Sequence, residues 1–262
     1  LAGLVAGVAA GCADGGISKS DQAKPLEGDS AMLLTSAVRT EDLEYLELLL
    51  RAGHNPNVAF HGVPPLVAAG QDANPEIIDL LLRNGASPRI FDRFGNTVFH
   101  VLCESTAPSE RVVAGLQRMI DLGHDPQEPG MYGFTPLHLA ARIANPDVLR
   151  FLLEKGANAN ARTDAGETPL HRLMIESPRQ LEALQVLLNA GADPTATSLH
   201  GFSPLENARR IYRSARAGTG WRRTPQDAAT YAKYAQEAIE RMERAMPAKP
   251  ARRNETGIVT SG

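Results

Sequence analysis

The stretch Gly133-Phe-Thr-Pro-Leu-His138 returns 33 residues later as Gly166-Glu-Thr-Pro-Leu-His171. Weaker copies extend the series in both directions: Gly62-Val-Pro-Pro-Leu-Val67, Gly95-Asn-Thr-Val-Phe-His100 and Gly201-Phe-Ser-Pro-Leu-Glu206. The five leading glycines stand 33, 38, 33 and 35 residues apart. A second ladder runs in step with the first. Leu-Leu-Arg-Ala-Gly53, Leu-Leu-Arg-Asn-Gly85, Ile-Asp-Leu-Gly123, Leu-Leu-Glu-Lys-Gly156 and Leu-Leu-Asn-Ala-Gly191 each precede the next motif glycine by 9 or 10 residues. Two interlocked series over more than 150 residues mark a repeat architecture. In such a stack each unit buries its apolar face only against its neighbours.

Within each unit, Thr-Pro opens a short helix, because Pro is tolerated in a first turn whose N–H groups lack intrahelical partners. That helix runs through Ala68-Ala69 or Ala140-Ala141, small residues that let neighbouring units approach closely. A second helix follows, opened by Asn74-Pro75, Asn145-Pro146 or Ser177-Pro178, with the Asn or Ser in the capping position. Its Leu-Leu pair faces inward, and the glycine after it ends the helix with positive φ. The segment between the two glycine ladders then forms a projecting hairpin.

These residues resemble the ankyrin repeat, whose period is about 33 residues and whose signature is Thr-Pro-Leu-His-x-Ala. The resemblance covers roughly Ala31 to Ala208 and implies an all-α ankyrin-repeat solenoid of about six helix-turn-helix repeats with projecting β-hairpin loops. The repeats fall at about 30–61, 62–94, 95–132, 133–165 and 166–200, with a divergent capping repeat at 201–246, so that the domain spans 31–246. Repeat three carries five extra residues around Glu104-Ser-Thr-Ala-Pro-Ser-Glu110, and the last repeat is lengthened over Ala215 to Arg223. Its closing helix, opened by Thr224-Pro225-Gln226-Asp227, has one apolar stripe of Tyr231, Tyr234, Ala238, Met242 and Ala245. That stripe suits a cap on repeat five, or else an amphipathic helix seeking membrane.

Composition agrees with a turn-rich stack. Of 262 residues, 43% are apolar but only 5% aromatic, with 23 Gly and 18 Pro. A net charge of −3 gives no whole-chain field toward nucleic acid. Two cysteines exclude a disulfide scaffold and any multi-thiolate metal site.

The chain opens with an uncharged run, Leu-Ala-Gly-Leu-Val-Ala-Gly-Val-Ala-Ala-Gly-Cys12, too short to span a bilayer. It suits the apolar and cleavage regions of a secretory signal whose basic start and Met precede Leu1. Ala9, Ala10 and Gly11 before Cys12 resemble the lipobox of bacterial lipoproteins, with Ala9 departing from the usual Leu. The resemblance implies lipid attachment at Cys12, a signal segment over 1–12 and a flexible tether over 13–30. A plain cleaved signal and a buried apolar segment are the other readings. Residues 247–262 carry no apolar period and are expected to be disordered.

No catalytic constellation emerges. His-Glu-x-x-His, Gly-x-Ser-x-Gly and phosphate-binding glycine loops do not occur. His100, His138 and His171 hold the repeat's own histidine position, where the resemblance implies that the imidazole bonds neighbouring backbone. His54 and His124 follow helix-ending glycines as loop residues, and Cys103 falls inside a packed first helix as a small hydrophobe. The protein is therefore expected not to be an enzyme and to hold no cofactor or metal.

Function in this architecture is expected on the concave face formed by the hairpin tips and the exposed side of the first helices. Carried over by the motif glycine, the tips are Phe60, His61 and Val63; Arg93, Phe94 and Asn96; Met131, Tyr132 and Phe134; Asp164, Ala165 and Glu167; Leu199, His200 and Phe202. Five of the chain's twelve Phe and Tyr residues fall among those fifteen positions. Aromatic and Arg anchors on a rigid platform are what protein interfaces enrich, although some tips could instead pack along the hairpin row. Gln71, Asp72, Glu104, Ser105, Arg142, Ile143, Ile175, Glu176, Arg210 and Ile211 supply the helical floor. Trp221, the one Trp, is either a plug for the cap or an exposed anchor.

Between Arg209 and Arg253, 12 Lys or Arg face 4 Asp or Glu, a net +8 that leaves −11 for the rest. This is either a solvated basic cap or a site for an acidic partner or anionic head groups. The whole suggests a periplasmic protein-binding module, monomeric when free, that meets membrane only through a lipid anchor. Its role would be that of an immunity or inhibitor protein against a secreted toxin such as a lipase. A periplasmic scaffold for another enzyme or a stress response, and a host-directed effector, are the alternatives.

Overall fold

A computed structural model describes residues 27–217 and 225–246. Cys12, the signal segment, most of the tether, Trp221 and the 247–262 tail lie outside the described residues. Twelve α-helices follow one another among the described residues. They are α1 (Glu27–Arg39), α2 (Leu43–Arg51), α3 (Pro65–Ala69), α4 (Pro75–Arg83), α5 (Val98–Glu104) and α6 (Ser109–Asp121). The series continues with α7 (Pro136–Ile143), α8 (Pro146–Glu154), α9 (Pro169–Arg172), α10 (Pro178–Asn189), α11 (Pro204–Ala217) and α12 (Pro225–Ala245). The first helices α1, α3, α5, α7 and α9 pack in series, and α2, α4, α6, α8, α10 and α12 form a second layer. This is the expected solenoid of six helix pairs. None of the described helices is long and apolar enough to cross a membrane.

The core lies between the layers. Leu66, Leu102 and Leu137 from the first helices meet Ile77, Leu81, Leu116, Leu149 and Leu152 from the second, all fully buried. Ala140 and Ala141 are also fully buried, as close stacking requires. Asn74 and Asn145 cap α4 and α8, each accepting two backbone N–H groups, while Asp42 caps α2. Ser177 does not cap α10; Gln180 instead accepts the Glu176 N–H. The helix-ending glycines take positive φ, as at Gly156 (+94°).

Thr-Pro-Leu-His is the joint between repeats. In α7, the Thr135 N–H donates to His138 Nδ1 at 3.2 Å, and Thr135 Oγ1 lies 2.8 Å from the same nitrogen. This is a capping box in which an imidazole replaces the usual Glu or Gln. With Nδ1 accepting, the proton sits on Nε2, which donates to the Glu167 carbonyl of the next hairpin at 3.0 Å. His100 reaches the Glu128 carbonyl and His171 the Phe202 carbonyl in the same way. A second link joins neighbouring repeats beyond the helix-ending glycines. Asn57 donates to the Gly85 carbonyl and accepts the Ser87 N–H, and Asn160 does the same with Gly191 and Asp193.

Three expectations change in detail. Residues 27–30, drawn as tether, belong to α1, where buried Ser30 bonds His54 at 2.9 Å. The extra residues of repeat three are absorbed partly by lengthening α6 to 13 residues, against 9 in α4 and in α8. The last helix caps the stack with Ala235, Ala238 and Met242 buried, whereas Ala245 of the expected stripe is exposed. Arg241 fastens this cap to the Leu181 carbonyl of α10.

Burial holds the His138 pKa down to about 4 from an ordinary 6.5, against the opposing pull of the bond to Glu167. Burial likewise lowers those of His100 and His171. The unfolded chain therefore binds more protons below pH 6.5, and stability present above that value is lost as pH falls toward 4. Thermal melts from pH 7.5 to 4.5 should show this loss, shallower in His138→Gln by up to about 1.4 kcal/mol per pH unit. His138→Ala at pH 7.5 should cost about 2–4 kcal/mol, because buried partners lose their hydrogen bonds.

Candidate functional site

Each hairpin is a tight turn closed by a few backbone bonds: Phe60 with Val63, Asp92 N–H to Asn96, Gly130 to Phe134, Thr163 to Glu167 and Ser198 to Phe202. Adjacent tips also join. The Arg93 N–H donates to the Gly62 carbonyl, Asp164 to Tyr132, and Leu199 to Ala165. These bonds tie the first hairpin to the second, and the third to the fourth and the fourth to the fifth.

Two grooves lie between these hairpins and the first helices. One, about 390 Å³, brings together Val63, Gln71, Phe94, Asn96, Glu104 and Arg142 of the expected site, with Arg39, Asp92 and Val101 added. Glu104 and Arg142 form an ion pair across its floor at 2.9 Å. The other, about 600 Å³, joins Phe202 and Arg210 with Glu206, Arg213 and Ser214 on α11. Around the first groove, His61, Asp72 and Arg93 are exposed, and the Arg93 guanidinium lies 4.7 Å over the Phe94 ring.

The third hairpin presents Met131 and Tyr132, the latter 66% exposed. Tyr132 also has φ +57°, a left-handed backbone that a bulky side chain adopts only at a cost. Its carbonyl receives the Asp164 N–H, and a Cβ at Gly133 would come within 2.9 Å of Asp164 Oδ1, so this turn is tightly held. Leu199, 78% exposed, and the exposed His200 and Phe202 end the row. Arg210 lies over the Phe202 ring at 5.5 Å.

Other expected residues are less free. Phe60 is half-buried and meets His61 edge-on at 4.2 Å between centroids. Phe134 is half-buried between the edge of His138 and the guanidinium of Arg172, 4.9 Å away. Glu167 is occupied by Arg172 at 3.3 Å, and Ile143 is half-buried. Ile175 is not a surface residue: it is 6% exposed in the core, and Met174 is 50% exposed instead. The cause is the early end of α9 at Arg172, after which Leu173 is extended and the helical register is lost. Ser105 is also buried, its hydroxyl donating to the Gln71 carbonyl of the preceding repeat. Phe91, 66% exposed, and Arg213 belong to the surface but were not among the expected residues. Arg213 stands one helical turn beyond Arg210, a spacing that could have indicated it.

Among the described residues, no group of three His, Cys, Asp or Glu side chains could hold a metal ion. Cys103 is buried, and burial pushes its thiol far above the ordinary range, so it remains a neutral packing group at pH 7.

A family model described as ankyrin repeats, three copies, matches residues 112–198. The B-cell lymphoma 3 protein homolog of Mus musculus is 32% identical over 149 residues, 55% of this chain and 32% of that protein. Protein PhlB of Serratia liquefaciens is 39% identical over 99 residues, 37% of this chain and 43% of its own length. Ankyrin repeat and SOCS box protein 16 of Mus musculus is 32% identical over 196 residues, covering 72% and 41%. The chain thus spans less than half the length of each of these three relatives.

The left-handed turn separates folding from binding at Tyr132. Tyr132→Asn, a residue that tolerates this backbone, should leave the melt unchanged or raise stability by about 0.5–1 kcal/mol while weakening partner binding. A lowered melting temperature would show instead that the ring supports the fold.

Proposed function

Because this chain belongs to the ankyrin-repeat family, a scaffold family that is usually non-catalytic, we propose that its hairpin row binds a specific protein partner and occludes it. The observation that carries this is the line of exposed side chains at Phe94, Tyr132, Leu199 and Phe202 on hairpins that are each closed by their own backbone bonds. Large apolar groups held rigidly in water lose little entropy when covered, which suits them as interface anchors.

The setting we assign is the bacterial periplasm, with the domain tethered through lipid at Cys12. The Ala-Ala-Gly-Cys12 sequence supports this, and the likeness to a Serratia protein is in keeping with a bacterial source. The role we assign is inhibition of a secreted hydrolase such as a lipase, in the manner of an immunity protein. Steric coverage is the mechanism. A rigid row of tips seated over an active-site mouth excludes substrate without chemistry of its own.

The full chain, immobilised and exposed to envelope extract of its source organism, should retain one stoichiometric protein, a hydrolase whose activity falls on binding. Phe94→Ala with Tyr132→Ala should remove that retention with the melting curve nearly unchanged. Retention of cytosolic or host proteins instead would count against the periplasmic reading. Cys12→Ala should move the protein from the membrane to the soluble envelope fraction; unchanged fractionation would remove the lipid anchor.

A further inference from the structure

The chain is acidic overall, yet its groove-side carboxylates are largely committed. Glu104 is paired with Arg142 at 2.9 Å and Glu167 with Arg172 at 3.3 Å. Glu206 accepts the backbone N–H and hydroxyl of Ser203, and Asp92 accepts the N–H groups of Phe94 and Asn96. Asp72 and Asp164 are the exposed acidic exceptions. By contrast, among the described residues Arg39, Arg210 and Arg213 have no carboxylate within ion-pair distance, although other arginines of the chain do.

Arg210 and Arg213 lie one turn apart on α11 and line the same groove as Phe202. Arg213 uses Nε on the Arg209 carbonyl at 3.3 Å, and Arg210 rests over the Phe202 ring. Neither interaction occupies the terminal guanidinium forks, which are shaped to take carboxylate oxygens in pairs. Glu206 lines the same groove but its carboxylate is bound to Ser203, so the two neighbouring guanidinium groups outnumber it and favour a further anion between them. The groove is bordered by Gly201 and Phe202 at the end of the last hairpin and by the exposed side of α11, so an apolar ring and two guanidinium groups share one surface.

We propose that this end of the groove takes an acidic segment of the partner, with a carboxylate between Arg210 and Arg213 and an apolar side chain against Phe202. The assignment rests on the protein-binding reading above and adds the chemistry of what is bound. It also gives a local role to the excess of basic residues after Arg209.

Fluorescence anisotropy of the full chain with a labelled peptide of alternating Glu and Phe, and with the same peptide carrying Gln for Glu, tests this. The Glu peptide should bind about tenfold or more tightly than the Gln peptide, and the preference should shrink as salt is raised. Arg210→Ala with Arg213→Ala should abolish the preference at an unchanged melting temperature, and the corresponding double Lys variant should keep part of it. Equal binding of the two peptides, or a preference that survives the Ala substitutions, would overturn the proposal. So would arginine-dependent binding seen only with phosphatidylglycerol vesicles. If the captured natural partner is held equally by the Arg variants but lost by Phe94→Ala with Tyr132→Ala, protein binding stands and the acidic segment falls.

Discussion

The stack depends on an imidazole kept neutral and in one tautomer. His138 accepts the Thr135 N–H at Nδ1 and donates from Nε2 to the Glu167 carbonyl, so one side chain both starts its own helix and holds the next hairpin. Protonation at Nδ1 would turn that acceptor into a donor facing a donor. Full burial supplies the condition, since the uncharged ring is favoured where water is excluded. His100 and His171 repeat the arrangement, and Asn57 and Asn160 add a parallel set of links near the helix-ending glycines. Each repeat is thereby registered to its neighbour by polar contacts as well as by packing.

Because these links use backbone carbonyls of the hairpins, they leave most tip side chains out of the fold's own contacts. The tips can then carry residues that folding would not select. Tyr132 takes a left-handed backbone, and Leu199 stands almost wholly in water. On the groove side the carboxylates are mostly engaged while several guanidinium groups are not, so a chain of net negative charge presents a locally positive end. Rigid support and unspent surface chemistry together describe a binding module, which is what ankyrin repeats imply.

Helix pairs, glycine ladders and the histidine joint were legible because each rests on a local rule repeated with a constant period. What was not legible depends on departures from that period. Four-residue α9 ends too soon for a position counted eight residues beyond the motif to stay on the surface, which puts Ile175 inside and Met174 outside. Ser105 and Ser177 look alike as polar residues near helix ends, but one bonds a neighbouring repeat and the other makes no cap. Whether a tip ring is free also depends on a distant partner. Phe134 is covered by Arg172, far along the chain, whereas the guanidinium over Phe94 is that of the adjacent Arg93 and the ring stays 45% exposed. The asymmetry between engaged acids and open arginines is likewise tertiary, since sequence counts charges without showing which are paired.

Amide hydrogen exchange of the full chain, alone and with its captured partner, addresses the central claim most directly. Binding through the hairpin row predicts slowed exchange in segments 91–97, 131–134 and 199–206, with the outer faces of α4, α6 and α8 unaffected. Protection confined to those second-layer helices, with the hairpins exchanging as in the free protein, would contradict it.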